Sequence, residues 1–186
     1  DKIDKNKIVF LGHLRNGQGV EMLISAMEKV TKKVKNTHLL IIGGGPLENS
    51  LKLKIKNIGL ETKIKITGFI KDYDDVEKLL RDGAIAVAPY VDDDKTYTRY
   101  TDPGKPKDYL ASGMPVIITK VPQVAYQIEK NRCGLAIDYS KKQLEDSLID
   151  LLTNETKLKE FRKNALIFAK KYTWEKVFTD ALSKTL

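Results

Sequence analysis

The chain has 186 residues, 41% hydrophobic and 31% charged, with 33 Lys plus Arg against 25 Asp plus Glu and a formal net charge of +8. That size supports one good core in a globular domain, and no run approaches the roughly 18 consecutive apolar residues of a membrane span. The lone cysteine, Cys133, excludes an intrachain disulfide, and with only His13 and His38 beside it a His/Cys metal cluster is not expected. No signal peptide is visible, so a reducing, cytoplasmic setting is expected. The lysines are spread along the chain and do not cluster with aromatics. This favours solvated helix faces and argues against nucleic acid, while a basic surface drawn to anionic lipid at the inner face of a membrane stays open.

Residues 8–11 form an apolar run of strand length, after which Val20, Leu23, Ile24, Met27 and Val30 recur at helical spacing. A second strand over 39–42 stops at Gly43-Gly44-Gly45-Pro46. Leu47, Leu51, Ile55 and Ile58 then give a helix closed by Gly59. Strands at 64–67 and 85–88 follow, with a helix over about 74–81 between them. Asp102 is placed to cap a helix with Pro103 at its first position and Gly113 at its left-handed end, and Phe69 reads as a core residue. Pro115 opens an apolar run at 116–118 that reads as a central parallel strand. A short helix near 121–129, a strand around 135–137 and helical sequence from about 141 complete the chain. Strand and helix alternating in this way predict an α/β, Rossmann-like three-layer domain, with a mostly parallel sheet and helices on both faces. Residues 1–186 are read as one domain, with 156–186 as its helical tail.

Ligands of such sheets sit beyond the carboxyl ends of the strands, where strand order reverses. Three candidate loops follow strands. The first, Gly12-His13-Leu14-Arg15-Asn16-Gly17-Gln18-Gly19, lets backbone N–H groups approach an anion at the start of a helix. The second carries Gly44 and Gly45. Its spacing is not that of a dinucleotide fingerprint, which argues against a nicotinamide cofactor. The third runs Thr67-Gly68-Phe69-Ile70-Lys71. The helix expected after Asp102 offers a further anion site, and Asp92, Asp93 and Asp94 read as an acidic loop, not a metal cluster.

The segment over 102–119, DPGKPKDYLASGMPVIIT, resembles the donor-site segment of glycosyltransferase family 4, the group 1 glycosyltransferases, which have two Rossmann-like domains in the GT-B arrangement. Pro103, Lys105, Asp108, Tyr109 to Gly113 and Pro115 to Ile117 carry the likeness. It implies the C-terminal, donor-binding half of a retaining enzyme that uses a nucleotide sugar such as a UDP- or GDP-sugar and acts on a glycan or lipid-linked acceptor. It implies no metal, and it places the acceptor site largely in an N-terminal domain of the same polypeptide. By the same likeness the loop with Gly12, His13, Arg15 and Gln18 holds the diphosphate, and that with Gly44 and Gly45 faces the phosphates and sugar. Ile70 and Lys71 meet the base, and Asp108 reads the ribose.

The departures are specific. The family commonly has Arg or Asn at His13, Lys at Gln18, Glu at Asp108 and a further Glu at Tyr100. Lys105 or Arg15 is expected to supply the cation that Gln18 cannot, and the loop over 92–101 to line the sugar. Tyr172-Thr173-Trp174-Glu175 resembles the start of the family's closing helix, with Thr173 as cap. Two alternatives stand beside this reading: a nucleotide-sugar epimerase of the same architecture, and a domain that has lost donor binding.

Overall fold

The structure is a computed structural model that describes residues 3–93 and 97–183, except for the side chains at 174, 177, 180 and 181. Six strands form one parallel sheet: β1 (Lys7–Leu11), β2 (His38–Ile42), β3 (Ile64–Ile66), β4 (Ile85–Ala88), β5 (Val116–Thr119) and β6 (Gly134–Ile137), in the order β3-β2-β1-β4-β5-β6. Each strand is followed by a helix. These are α1 (Val20–Lys33), α2 (Glu48–Asn57), α3 (Tyr73–Arg81), α4 (Lys105–Ala111), α5 (Val124–Lys130) and α6 (Lys141–Thr153).

Alternation along the strands divides the core. Ile8, Phe10, Leu39, Ile41, Ile85, Val87 and Ile117 face α1, α2 and α6, while Val9, Leu40, Ile42, Ala86, Val116 and Ile118 face α3, α4 and α5. Strands buried on both faces have no polar side to alternate with, and so they read in sequence as continuous apolar runs. On α6, Leu144, Leu148 and Leu151 recur at helical spacing and are fully buried; truncating one to alanine would cost about 2–5 kcal/mol.

The helical sequence beyond 141 is divided by its caps. Ser140 accepts from Gln143 N, Asn154 from Lys157 N and Thr173 from Lys176 N, starting α6, α7 (Glu155–Ala169) and, after a 3-10 turn at Lys170–Tyr172, α8 (Trp174–Leu182). Leu158 and Phe161 of α7 join one core layer and Ala165 and Phe168 the other, so that helix closes the end of the sandwich. Phe178 and Leu182 of α8 are exposed.

Two local expectations are corrected. Asp102 caps no helix: its carboxylate accepts from Lys107 Nζ at 2.5 Å, and α4 starts at Lys105 after Gly104, with Pro106 instead of Pro103 in its first turn. At seven residues, α4 is a short helix. Gly113 does take the left-handed conformation, φ 69°.

Candidate functional site

Strand order reverses between β1 and β4. The connection from β1 leads to β2 on one side and that from β4 to β5 on the other, which opens a crevice beyond their carboxyl ends. The loops around it are held backbone to backbone. Leu14 N donates to Gly44 O at 3.0 Å, Leu47 N to Leu14 O at 3.0 Å, Val91 N to Gly17 O at 3.0 Å, and Gly43 bridges Gly68 after β3. Side chains would prevent this approach. A Cβ on Gly19, which has φ 68°, would lie 1.7 Å from Pro89 O, and one on Gly45 would lie 2.5 Å from Leu14 O. The glycines thus let the loops after β1, β2 and β4 meet at one edge.

Lys105 reaches into this crevice from α4. Its ammonium donates to Gln18 Oε1 and sits 5.2 Å from the Phe10 ring centroid and 4.9 Å from that of Tyr90. It also lies against Gly12, where a Cβ would come within 2.7 Å of Nζ. Among the described residues no carboxylate pairs with it. Burial, with the Arg15 charge added, brings its pKa down to about 8. Gln18 is itself buried, so its amide serves as the acceptor for this lysine.

Asp108, one turn along α4, is half-buried. Burial raises its pKa; the Tyr73 hydroxyl at the start of α3 lowers it, the Glu77 charge raises it and the Lys107 charge lowers it. The Tyr90 hydroxyl feels the same carboxylate, and burial raises its pKa. Next in sequence, the Tyr109 hydroxyl accepts from Leu11 N at 2.6 Å and lies 3.3 Å from Leu11 O.

Two clefts flank these groups. One, about 220 Å³ and largely apolar, is lined by Leu11, Gly12, His13, Ile42, Gly44 and Ile70 among others. The other, about 420 Å³, runs past Arg15, Gly17, Gln18, Asp93, Tyr97 and Thr98. Gly12, His13, Gly44 and Ile70 therefore share one cleft and Arg15 and Gln18 the other, with Lys105 touching both Gly12 and Gln18. Gly45 supports the loop from below, while Lys71 is exposed and outside the apolar cleft. His13 and Arg15 are exposed.

Phe69 is not core: it is 82% exposed at the rim of the apolar cleft, because Gly68 at φ 75° turns the chain there and Ile70 packs inward instead. Asp92 pairs with Arg99, and Asp94 lies outside the described residues. The sequence reading missed Tyr73 and Tyr90. Both sit just past a strand or at a helix start, but nothing in their spacing reveals that they surround Asp108. A larger concavity, about 660 Å³, lies at the opposite edge, lined by Lys7, His38, Ile64 and Lys65 near the amino ends of the strands.

Residues 2–167 match the family model described as glycosyl transferases group 1. An uncharacterized glycosyltransferase of Methanocaldococcus jannaschii is 27% identical over 184 residues, covering 97% of this chain and 43% of its own length; the chain thus spans less than half of that relative. The fold is shared with TarM of S. aureus, solved with UDP among its ligands, at a TM-score of 0.79 and 21% identity over 97% of this chain and 36% of that one. It is also shared with the C-terminal domain of a group 1 glycosyltransferase, LpcC of Francisella tularensis, at a TM-score of 0.77 and 22% identity over 92% and 87% of the two chains. With its six-stranded parallel sheet, Rossmann-like layering and GT-B likeness, this chain belongs to the group 1 glycosyltransferases.

Proposed function

We propose that this chain is the donor-binding half of a retaining glycosyltransferase that moves a hexosyl group from a nucleotide sugar, such as a UDP- or GDP-sugar, to a glycan or lipid-linked acceptor. The observation that carries this reading is Lys105, a partly buried ammonium without a carboxylate partner among the described residues, set against Gly12 and Gln18 where strand order reverses. A partly desolvated cation in that position is answered by an anion, and a diphosphate has the charge and size to lie along the glycine loop. The nucleoside then extends into the apolar cleft by Ile70, with its ribose at Asp108 and its base near the backbone of Gly68 to Lys71.

Catalysis in this reading is electrostatic. Lys105, Arg15 and backbone N–H groups near Gly12 and Gly19 stabilise the charge that develops on the leaving diphosphate. These protein cations carry the charge, so the reading calls for no metal or resident cofactor. The acceptor site is assigned to an N-terminal domain of a longer polypeptide, consistent with the greater length of the relatives, and the exposed Phe178 and Leu182 of α8 suit contact with it. The chain alone is then expected to bind nucleotide and transfer little sugar. We place the enzyme in the cytoplasm at the inner membrane face, in building envelope polysaccharide.

Titration calorimetry with UDP, GDP and ADP tests the site. Heat with at least one, with affinity weakened in Lys105→Ala, is expected; no heat with any of the three on folded protein would favour a domain that has lost its donor.

A further inference from the structure

Lysines occur along the whole chain, but the carboxylates that balance them do not. Residues 29–65 hold nine lysines and no arginine against two carboxylates, Glu48 and Glu61, so this segment carries +7 of the net +8. The fold gathers that charge onto one surface. Lys32 and Lys63 line a concavity of about 350 Å³ between the end of α1 and the turn after α2, and Lys52, Lys63 and Lys65 line the larger one beside it; Thr62 and Lys63 belong to both. Lys33 and Lys35 lie at and just past the end of α1, and Lys54 and Lys56 on α2. Lys29 and Lys52 have carboxylate partners, while the other seven have none among the described residues. Carboxylates at the borders are already engaged: Glu48 meets Lys52, Asp82 meets Lys7, Glu28 lies 3.8 Å from Lys141 and Asp4 lies 3.3 Å from His38. That leaves Glu61 to face seven ammonium groups. Because these groups are in water, their lack of partners costs the fold little, and what they add is a summed positive field.

We propose that this face, built from the end of α1, the outside of α2 and the start of β3, docks onto anionic phospholipid. Lysine is a compact, hydrated point charge on a flexible stem, which suits headgroup phosphates that present no fixed geometry. A nucleic-acid surface would call for arginine and stacking aromatics, and residues 29–65 contain neither. Leu53, 59% exposed between Lys52 and Lys54, adds an apolar side chain that the headgroup layer can take up. The face surrounds edge strand β3 and the amino ends of the strands, whereas Lys105 lies in the crevice beyond their carboxyl ends. Lipid and nucleotide therefore occupy separate surfaces, and membrane contact here stands or falls independently of the donor site.

The test is sedimentation of the whole chain with vesicles of phosphatidylcholine alone and of phosphatidylcholine with about one third phosphatidylglycerol. Binding is expected to the anionic vesicles only, and to disappear between about 0.05 and 0.5 M salt. Each lysine near such a surface adds roughly fivefold in affinity, so the variant carrying Lys32→Gln, Lys56→Gln, Lys63→Gln and Lys65→Gln should bind at least about fiftyfold more weakly, with an unchanged melting temperature. A control with the same net charge, carrying Lys130→Gln, Lys142→Gln, Lys163→Gln and Lys170→Gln on α5 to α7 and the turn beyond, should lose less than about fivefold. No binding to the anionic vesicles, or equal losses in the two variants, would overturn the proposal. So would release from the vesicles by UDP, GDP or ADP, which would move the contact to the crevice, or tighter binding to a single-stranded RNA oligonucleotide at the same salt, which would assign the face to nucleic acid.

Discussion

The two ends of the sheet carry concavities of unlike character. At the amino ends, about 660 Å³ of space is lined in part by charges that are already answered: Lys7 by Asp82 and by Leu79 O at 2.9 Å, Lys52 by Glu48 at 2.6 Å, with His38 Nε2 3.3 Å from Asp4. At the carboxyl ends the clefts are smaller, but Lys105 has no carboxylate and Tyr90 no hydrogen-bond partner among the described residues. Volume measures how loosely elements meet at an edge; unanswered polar groups record a cost that the fold alone does not repay.

Several substitutions can break that contrast. The largest effect is expected at Gly19, where alanine must tolerate φ 68° and a Cβ 1.7 Å from Pro89 O. Gly19→Ala should lower stability by about 2–5 kcal/mol in urea unfolding and displace the start of α1, weakening diphosphate binding as well. Lys105→Ala should leave the fold intact and weaken nucleoside diphosphate roughly ten- to hundredfold by calorimetry, the loss of a charge-assisted contact. If Arg15→Ala abolishes binding and Lys105→Ala does not, the site is right and the cation is Arg15.

The depressed Lys105 pKa sets a pH dependence. A diphosphate favours the ammonium, so affinity should hold below about pH 8 and fall up to tenfold per pH unit above it, until the pKa of the complex is reached. Lys105→Arg, which keeps its charge, should flatten that profile. For folding the sign is opposite. The folded pKa lies below the unfolded 10.5, so the unfolded chain holds more protons between about pH 8 and 10.5, and this residue's contribution to stability rises through that window. The smallest effect belongs to the other end: Lys63→Ala with Lys65→Ala, both lining the larger concavity, should leave diphosphate affinity within about twofold.

Strands buried on both faces announce themselves as apolar runs, so the three-layer α/β architecture, the glycine loops and their common edge were legible before any coordinates. What sequence could not supply was the direction of side chains. Gln18 looked like a missing cation; in space it holds the cation that α4 delivers from 87 residues away. Lysine at Gln18 would set two ammonium groups together and remove an acceptor, so adding charge there does not follow from the family pattern alone. Asp102 and Pro103 looked like a helix start because a cap and a proline usually are one, yet the Lys107 ammonium captures Asp102 first. Phe69 was read inward on hydrophobicity, although the turn at Gly68 hands the inward position to Ile70. The cluster of tyrosines around Asp108 joins α3, the loop after β4 and α4, and no linear spacing encodes it.

Tyr109 gives the site its length. Its hydroxyl grips the backbone at Leu11, the residue before Gly12, and its backbone adjoins Asp108. One rigid side chain thus ties the end assigned to ribose to the end assigned to phosphate, and a shift of α4 carries both together.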